Sequence, residues 1–187
     1  EDVRDNLYSG SCYTADYQYA GEKRLPTLRK AFAKLTDEQK LSVKAFADKN
    51  KHIKNYAFYM SLKDRFGLTP WWEWDDKYKI YETALSEFDV EDEDIFFRLF
   101  VQYEFYRQWN ALKKYANEKG IRILGDMPIY VSLDSADVWS HTSLFELEKE
   151  SLKPKKVAGV PPDYFSEDGQ LWGNPIYNWA EMEKEGY

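Results

Sequence analysis

The stretch GVPPDYFSEDGQLWGNP, residues 159–175, carries side chains that could handle a ligand: Asp163, Tyr164, Phe165, Gln170, Trp172 and Asn174. Pro161 and Pro162 fix two φ angles and hold the approach to Asp163 extended. Whatever follows is therefore presented at low entropic cost, as a binding loop requires. Gly169 and Gly173 let the backbone turn sharply or approach a ligand closely. Gln170 and Asn174 each supply a donor and an acceptor. Flat rings beside amides and a carboxylate suit a sugar, which has an apolar C–H face and a rim of hydroxyls. They suit a phosphate poorly, because no basic residue lies between Val157 and Tyr177. The same features describe a rigid loop packed by its own aromatics equally well.

The composition narrows the partner. Of 187 residues, 18% are aromatic, including 7 Trp, 15 Tyr and 11 Phe, so a ring-binding surface could draw on rings beyond those a core needs. A net charge of −7 argues against nucleic acid and anionic membranes, both of which want a cationic face. A neutral ligand fits better, and no apolar run approaches a membrane span. One cysteine, Cys12, excludes an internal disulfide framework and fits a reducing compartment, taken as cytoplasmic. His52 and His141 stand far apart in sequence, so neither a metal site nor any other cofactor is expected. Residue 1 is Glu and no basic-then-apolar leader follows it, which reads as an excised segment of something longer.

The elements that must position these residues follow from periodicity. Residues 1–22 read as irregular. Leu25, Leu28, Ala31, Phe32 and Leu35 recur at helical steps. Thr36 and Gln39 have capping-box spacing and open a second helix through about Lys49, stopped by Asn50. A third helix spans about 51–66, with Gly67 as its C-cap. The tryptophans of TPWWEW (69–74) read as a hydrophobic plug between helices rather than a surface platform. Acidic residues 91–94 precede a long aromatic-rich helix over 94–118, expected to be buried along much of its length and stopped by Gly120. The run Ile121–Val131 reads as a buried parallel strand, the αβ half of an α/β repeat, with Asp126 near its C-terminal end. In a barrel of such repeats that end faces the active-site mouth, although a turn or capping role explains a lone aspartate as well. Asp134 or Ser135 caps a short helix, residues 149–156 form a hairpin-like excursion, and 179–185 resume a helix.

Two long motifs, GIRILGDMPIYVSLDSADVW (120–139) and VAGVPPDYFSEDGQLWGNPIYNW (157–179), occur in order, preceded by YRQWNALKKYANEKG (106–120). Together they resemble the 4-alpha-glucanotransferases, or amylomaltases, and the weaker YAFYMSLKDRFG and PWWEW stretches extend the likeness upstream. The resemblance implies an α/β fold: a partial TIM-type (β/α) barrel carrying a mostly helical inserted subdomain. Residues 1–118 would form that subdomain and lead into a long barrel helix; 119–187 would supply a barrel strand, a following helix and a substrate-covering loop. It implies retaining transfer of α-1,4-glucan between maltooligosaccharides. Asp126 matches an aspartate ending the third barrel strand, Asp163, Tyr164 and Phe165 the tip of a mobile loop, and Gln170, Trp172 and Asn174 the adjoining sugar subsites.

The family's nucleophile sits in an Arg-x-Asp-His stretch that this sequence lacks, so no catalytic residue is expected here. The partners implied are a glucan and the remaining barrel of the parent chain. A carbohydrate-binding module or an amylase-clan hydrolase segment would also account for the aromatics, though a strand-rich module would not account for the helix–strand unit.

Overall fold

Helix capping sets the order of the elements. In the computed structural model, Tyr8, Gly10, Ser11 and residues 13–187 are described; Cys12 lies outside them. Asp16 accepts from the Tyr19 amide and starts a helical turn, α1 (Tyr17–Tyr19). A π-helical turn (Ala20–Arg24) continues it into α2 (Leu25–Phe32). Helical structure thus begins inside the stretch read from sequence as irregular. Thr36 caps α3 (Asp37–Lys49) with the full reciprocal box, its hydroxyl taking the Gln39 amide and the Gln39 side chain taking the Thr36 amide. Asn50 ends α3 and begins α4 (Lys51–Arg65), which stops at Gly67 with φ +61°.

Two short helices, α5 (Asp76–Lys79) and α6 (Tyr81–Ala84), lead to α7 (Glu93–Glu118). Asp92 caps α7 by accepting from the Asp94 and Ile95 amides, and Gly120, at φ +75°, follows its end. Ser135 caps α8 (Ala136–Ser140). Strands β1 (Val157–Val160) and β2 (Gln170–Pro175) pair antiparallel, and α9 (Trp179–Glu185) is capped by Asn178.

The core is built where α4 crosses α7 and receives the tryptophans. Trp71, Trp74 and Trp139 are all fully buried or nearly so, with Phe58, Tyr59 and Leu62 of α4 and Ile95, Leu99 and Phe100 of α7. The stretch 69–74 is therefore the expected plug, and the nitrogens of its two buried indoles are satisfied: Trp71 Nε1 donates to Leu133 O (2.7 Å) and Trp74 Nε1 to Thr69 O (3.1 Å). Trp139 of α8 meets the rings of Phe58, Tyr59, Trp74 and Tyr81 at 5.2–5.9 Å and donates to Tyr78 O. Beneath it, Lys63 donates to Asp134 Oδ2 (2.6 Å) and to the carbonyls of Leu68 and Thr69, while Tyr59 donates to Asp134 Oδ1 (2.5 Å). An ammonium this enclosed needs all three acceptors. Among the described residues no helix is long and apolar enough to cross a membrane.

Three expectations fail. Residues 121–128 form no strand; the run is irregular, with Ile121, Ile123, Leu124, Met127 and Ile129 all exposed. A parallel strand exists only by pairing, and among the described residues no strand lies beside it. The burial predicted along α7 stops near its middle: Phe105, Trp109, Leu112 and Tyr115 are exposed because α2, α3 and α4 cover only its first half. The stretch around residues 159–175, lacking strand periodicity, nevertheless forms the one sheet described, a two-stranded hairpin.

Candidate functional site

The hairpin owes its shape to its glycines. Gly159 lies opposite Leu171, and a Cβ there would stand 2.5 Å from Gln170 O, so only glycine lets the strands close. Gly169 turns back at φ +74° against Val160 O. Between these points the tip is a self-held turn: Asp163 Oδ1 accepts from the Phe165 and Ser166 amides at 2.9 Å each, and Ser166 Oγ donates to Gly169 O (2.7 Å). With its backbone so occupied, the tip projects Tyr164 and Phe165, which are 96% and 88% exposed and meet edge to face at 5.7 Å.

The register then slips. Val157 pairs with Pro175 and Gly159 with Leu171, so Trp172, Gly173 and Asn174 bulge outward, with Gly173 at φ +79°. A bulge re-aims side chains, and here it aims them at residues 129–131. Asn174 Nδ2 donates to Val131 O (2.9 Å). The Trp172 ring lies 6.0 Å from Tyr130, and its indole donates to Gln170 Oε1 (3.1 Å). Tyr130 in turn stacks on Tyr177 at 6.0 Å and 13°, and Tyr177 donates to Ile129 O (3.0 Å). Burial raises the Tyr177 phenol above its ordinary value, with Asp137 and Tyr130 adding to the effect, so it remains a protonated donor.

Trp172 and Asn174 are thus drawn to the segment that follows Asp126, with Gln170 bonded to Trp172, while Asp163, Tyr164 and Phe165 stand together at the tip. Asp126 is exposed and accepts from the Met127 amide (2.8 Å); it has no hydrogen bond to the hairpin among the described residues. The cavities beside α4 and along residues 142–155 involve none of the seven. What the arrangement offers is a ring-tipped arm anchored to residues 129–131. Sequence reasoning missed Tyr130, whose ring meets Trp172, and Tyr177, which stacks on Tyr130. Their signal was the Pro-Ile-Tyr tripeptide, present at 128–130 and again at 175–177. Among the described residues no cluster of His, Cys, Asp and Glu is placed to hold a metal ion.

The family model for 4-alpha-glucanotransferase matches residues 2–187. The chain belongs to the 4-alpha-glucanotransferase family. A relative from Clostridium butyricum is 40% identical over all of this chain and 39% of its own length. One from Thermus thermophilus is 44% identical over 92% of this chain and 36% of its own. The fold agrees: amylomaltase from Streptococcus agalactiae, solved in complex with acarbose, superposes with a TM-score of 0.85 at 43% identity, over 98% of this chain and 38% of that one. The chain therefore spans under two-fifths of the relatives just described. A match along the whole chain removes the reading as a free-standing carbohydrate-binding module, and the helical content among the described residues agrees with that.

Proposed function

We propose that the whole protein transfers α-1,4-glucan segments from one maltooligosaccharide to the free 4-hydroxyl of another, and that this chain contributes glucan contacts and a lid. Membership of the 4-alpha-glucanotransferase family carries the reading, joined to one observation: Tyr164 and Phe165 stand free on an anchored hairpin. The complex of the Streptococcus agalactiae amylomaltase with acarbose supports a maltooligosaccharide as ligand.

In a retaining transfer a carboxylate attacks the anomeric carbon while an acid protonates the departing 4-oxygen; the covalent glycosyl intermediate then passes to the acceptor hydroxyl, the same group now acting as base. Both groups belong to parts of the protein outside residues 1–187. The role of this chain is to hold sugar and exclude water. Tyr164 and Phe165 cover a glucose ring, Trp172 offers a second face, and Gln170 and Asn174 stand at the hydroxyl rim. One Asp163 oxygen keeps the turn and the other is left for a hydroxyl, while Asp126, exposed on the run that leads to Val131, supplies a further carboxylate. A closed aromatic lid keeps water from the intermediate until a sugar arrives.

The exposed apolar run 121–129 and the bare second half of α7 fit a seat for the rest of a TIM-type barrel. Residues 1–118 then form the inserted helical subdomain with its barrel helix, residues 119–187 the strand, helix and lid, and Trp139 joins the two. A single cysteine suits a cytoplasmic parent.

In the whole protein, Phe165→Ser should raise the ratio of hydrolysis to transfer on maltotriose about fivefold, the effect of roughly 1 kcal/mol on partitioning. An unchanged ratio removes Phe165 from the lid. The 187-residue chain alone should leave maltotriose unconverted, and any turnover above a blank refutes the division of labour.

A further inference from the structure

Two cavities of about 360 and 510 Å³ share His52, Asn55 and His141, and so form one groove beside the first turns of α4. His52 and His141, far apart in sequence, are the only histidines in the chain. The groove lies on the α4–α8 side of the core and contains none of the residues assigned to glucan above. We propose that it is a separate binding site for a short neutral oligosaccharide.

Its chemistry supports that ligand. Ile53 and Phe58, 5% and 2% exposed, give an apolar floor on which a sugar's C–H face can rest. The walls alternate donors and acceptors. Asn55 Oδ1 accepts from the Tyr81 hydroxyl (2.8 Å), which leaves the Asn55 amide hydrogens for a ligand. Ser140 has one hydroxyl proton and gives it to Ala136 O (2.7 Å), so its 2.8 Å contact to His141 Nδ1 requires that nitrogen to carry the proton. In the neutral ring Nε2 is then an acceptor for a sugar hydroxyl. Gln102, half-buried on α7, lines the groove with its amide unpartnered among the described residues.

Charge decides against an anion. Lys54 is already paired with Asp48. That leaves Lys51 on one part of the rim and Asp137 on another, offsetting one another. A phosphate or carboxylate would meet no surplus of positive charge, whereas a hydroxylated ring uses every group present.

This site shares the ligand class of the reading above but not its residues, and two histidines make its test selective. In the nitrogen-15-labelled 187-residue chain, maltotriose should shift both imidazole ring signals saturably, with a dissociation constant on the order of 1 mM. Gln102→Ala should weaken that binding about fivefold, the loss of one hydrogen bond. His141→Gln, at an exposed position and read on His52, serves the same purpose if Gln102→Ala fails to fold. Phe165→Ser should leave the titration unchanged, which separates this groove from the hairpin. Silence of both rings overturns the proposal. So does a response to inorganic phosphate without one to maltotriose, and so does loss of the shifts in Phe165→Ser.

Discussion

The helical body and the hairpin arm both concentrate aromatic rings, and they use them in opposite ways. Around Trp139 five rings interlock, the Trp139 indole has its acceptor, and of the five only Tyr81 is partly open to solvent. On the hairpin the backbone is the satisfied part, held by Asp163, Ser166 and Gly169, and the rings are left outside. An aromatic residue count cannot separate the two uses. Packing partners and backbone together can: along α4 and the first half of α7 the rings turn inward on a 3.6-residue period, and at the hairpin tip, where prolines and a glycine fix a turn with no element packed over it, they are displayed.

The sharpest way to break this contrast is to remove one ring from each region. Trp139→Ala deletes a fully buried indole in contact with four rings and should cost about 3–5 kcal/mol in urea unfolding. Phe165→Ala, at 88% exposure, should change stability by no more than about 0.5 kcal/mol. Comparable losses would mean that the tip packs in solution and that the arm is no arm.

A second probe sharpens the body's side of the comparison through pH. Burial raises the Tyr59 phenol well above its ordinary value, and the hydrogen bond to Asp134 and that carboxylate's charge raise it further. Tyr81 and Tyr177 are raised as well, burial being the leading cause in both. Above about pH 10 the unfolded chain releases these protons while the folded chain keeps them, so stability falls as pH rises, by up to roughly 1.4 kcal/mol per pH unit for the buried Tyr59 and by less for Tyr81 and Tyr177, whose partial exposure screens the effect. Tyr59→Phe should be less stable at neutral pH by about 1–3 kcal/mol, because Asp134 loses a donor. Its alkaline decline should nonetheless be shallower. An identical slope in the two proteins would mean that Tyr59 ionises as readily folded as unfolded.

The sequence showed the body better than the arm, for a physical reason. Thr36 with Gln39, Asn50, Gly67, Gly120 and Ser135 each act through local geometry, and each sits where its spacing put it. The tryptophan plug was legible because three indoles in six residues cannot all be solvated without a use. The strand at 121–131 and the burial of 105–115 rest instead on long-range partners. An apolar run records that burial is wanted, and only the neighbouring chain decides whether it happens. The hairpin hid for the opposite reason. Along β1 and β2 most residues are exposed, so no alternation could mark a pairing made by glycine sterics and a bulge. Among the candidate site residues, the carboxylate of Asp163 proved to be a turn cap as well as a displayed group, a double use that spacing alone leaves open.

The smallest effect should come from the arm's own glycines, and it tests whether the two regions open independently. Ala at either 169 or 173 must adopt positive φ, at about 1–2 kcal/mol. At 173 the added methyl meets nothing, but at 169 it would stand 2.6 Å from Val160 O, a backbone atom that cannot swing aside. Gly169→Ala should therefore disrupt the hairpin more than Gly173→Ala, seen as faster amide exchange at Gly159 through Leu171. Neither should move the global unfolding midpoint by more than the hairpin's own opening free energy, because a region that already opens locally cannot transmit a larger penalty to the body. A midpoint shift as large as that of Trp139→Ala would show that hairpin and helices unfold as one unit, and the anchors at Val131 and Ile129 would then hold the body together as well as the arm.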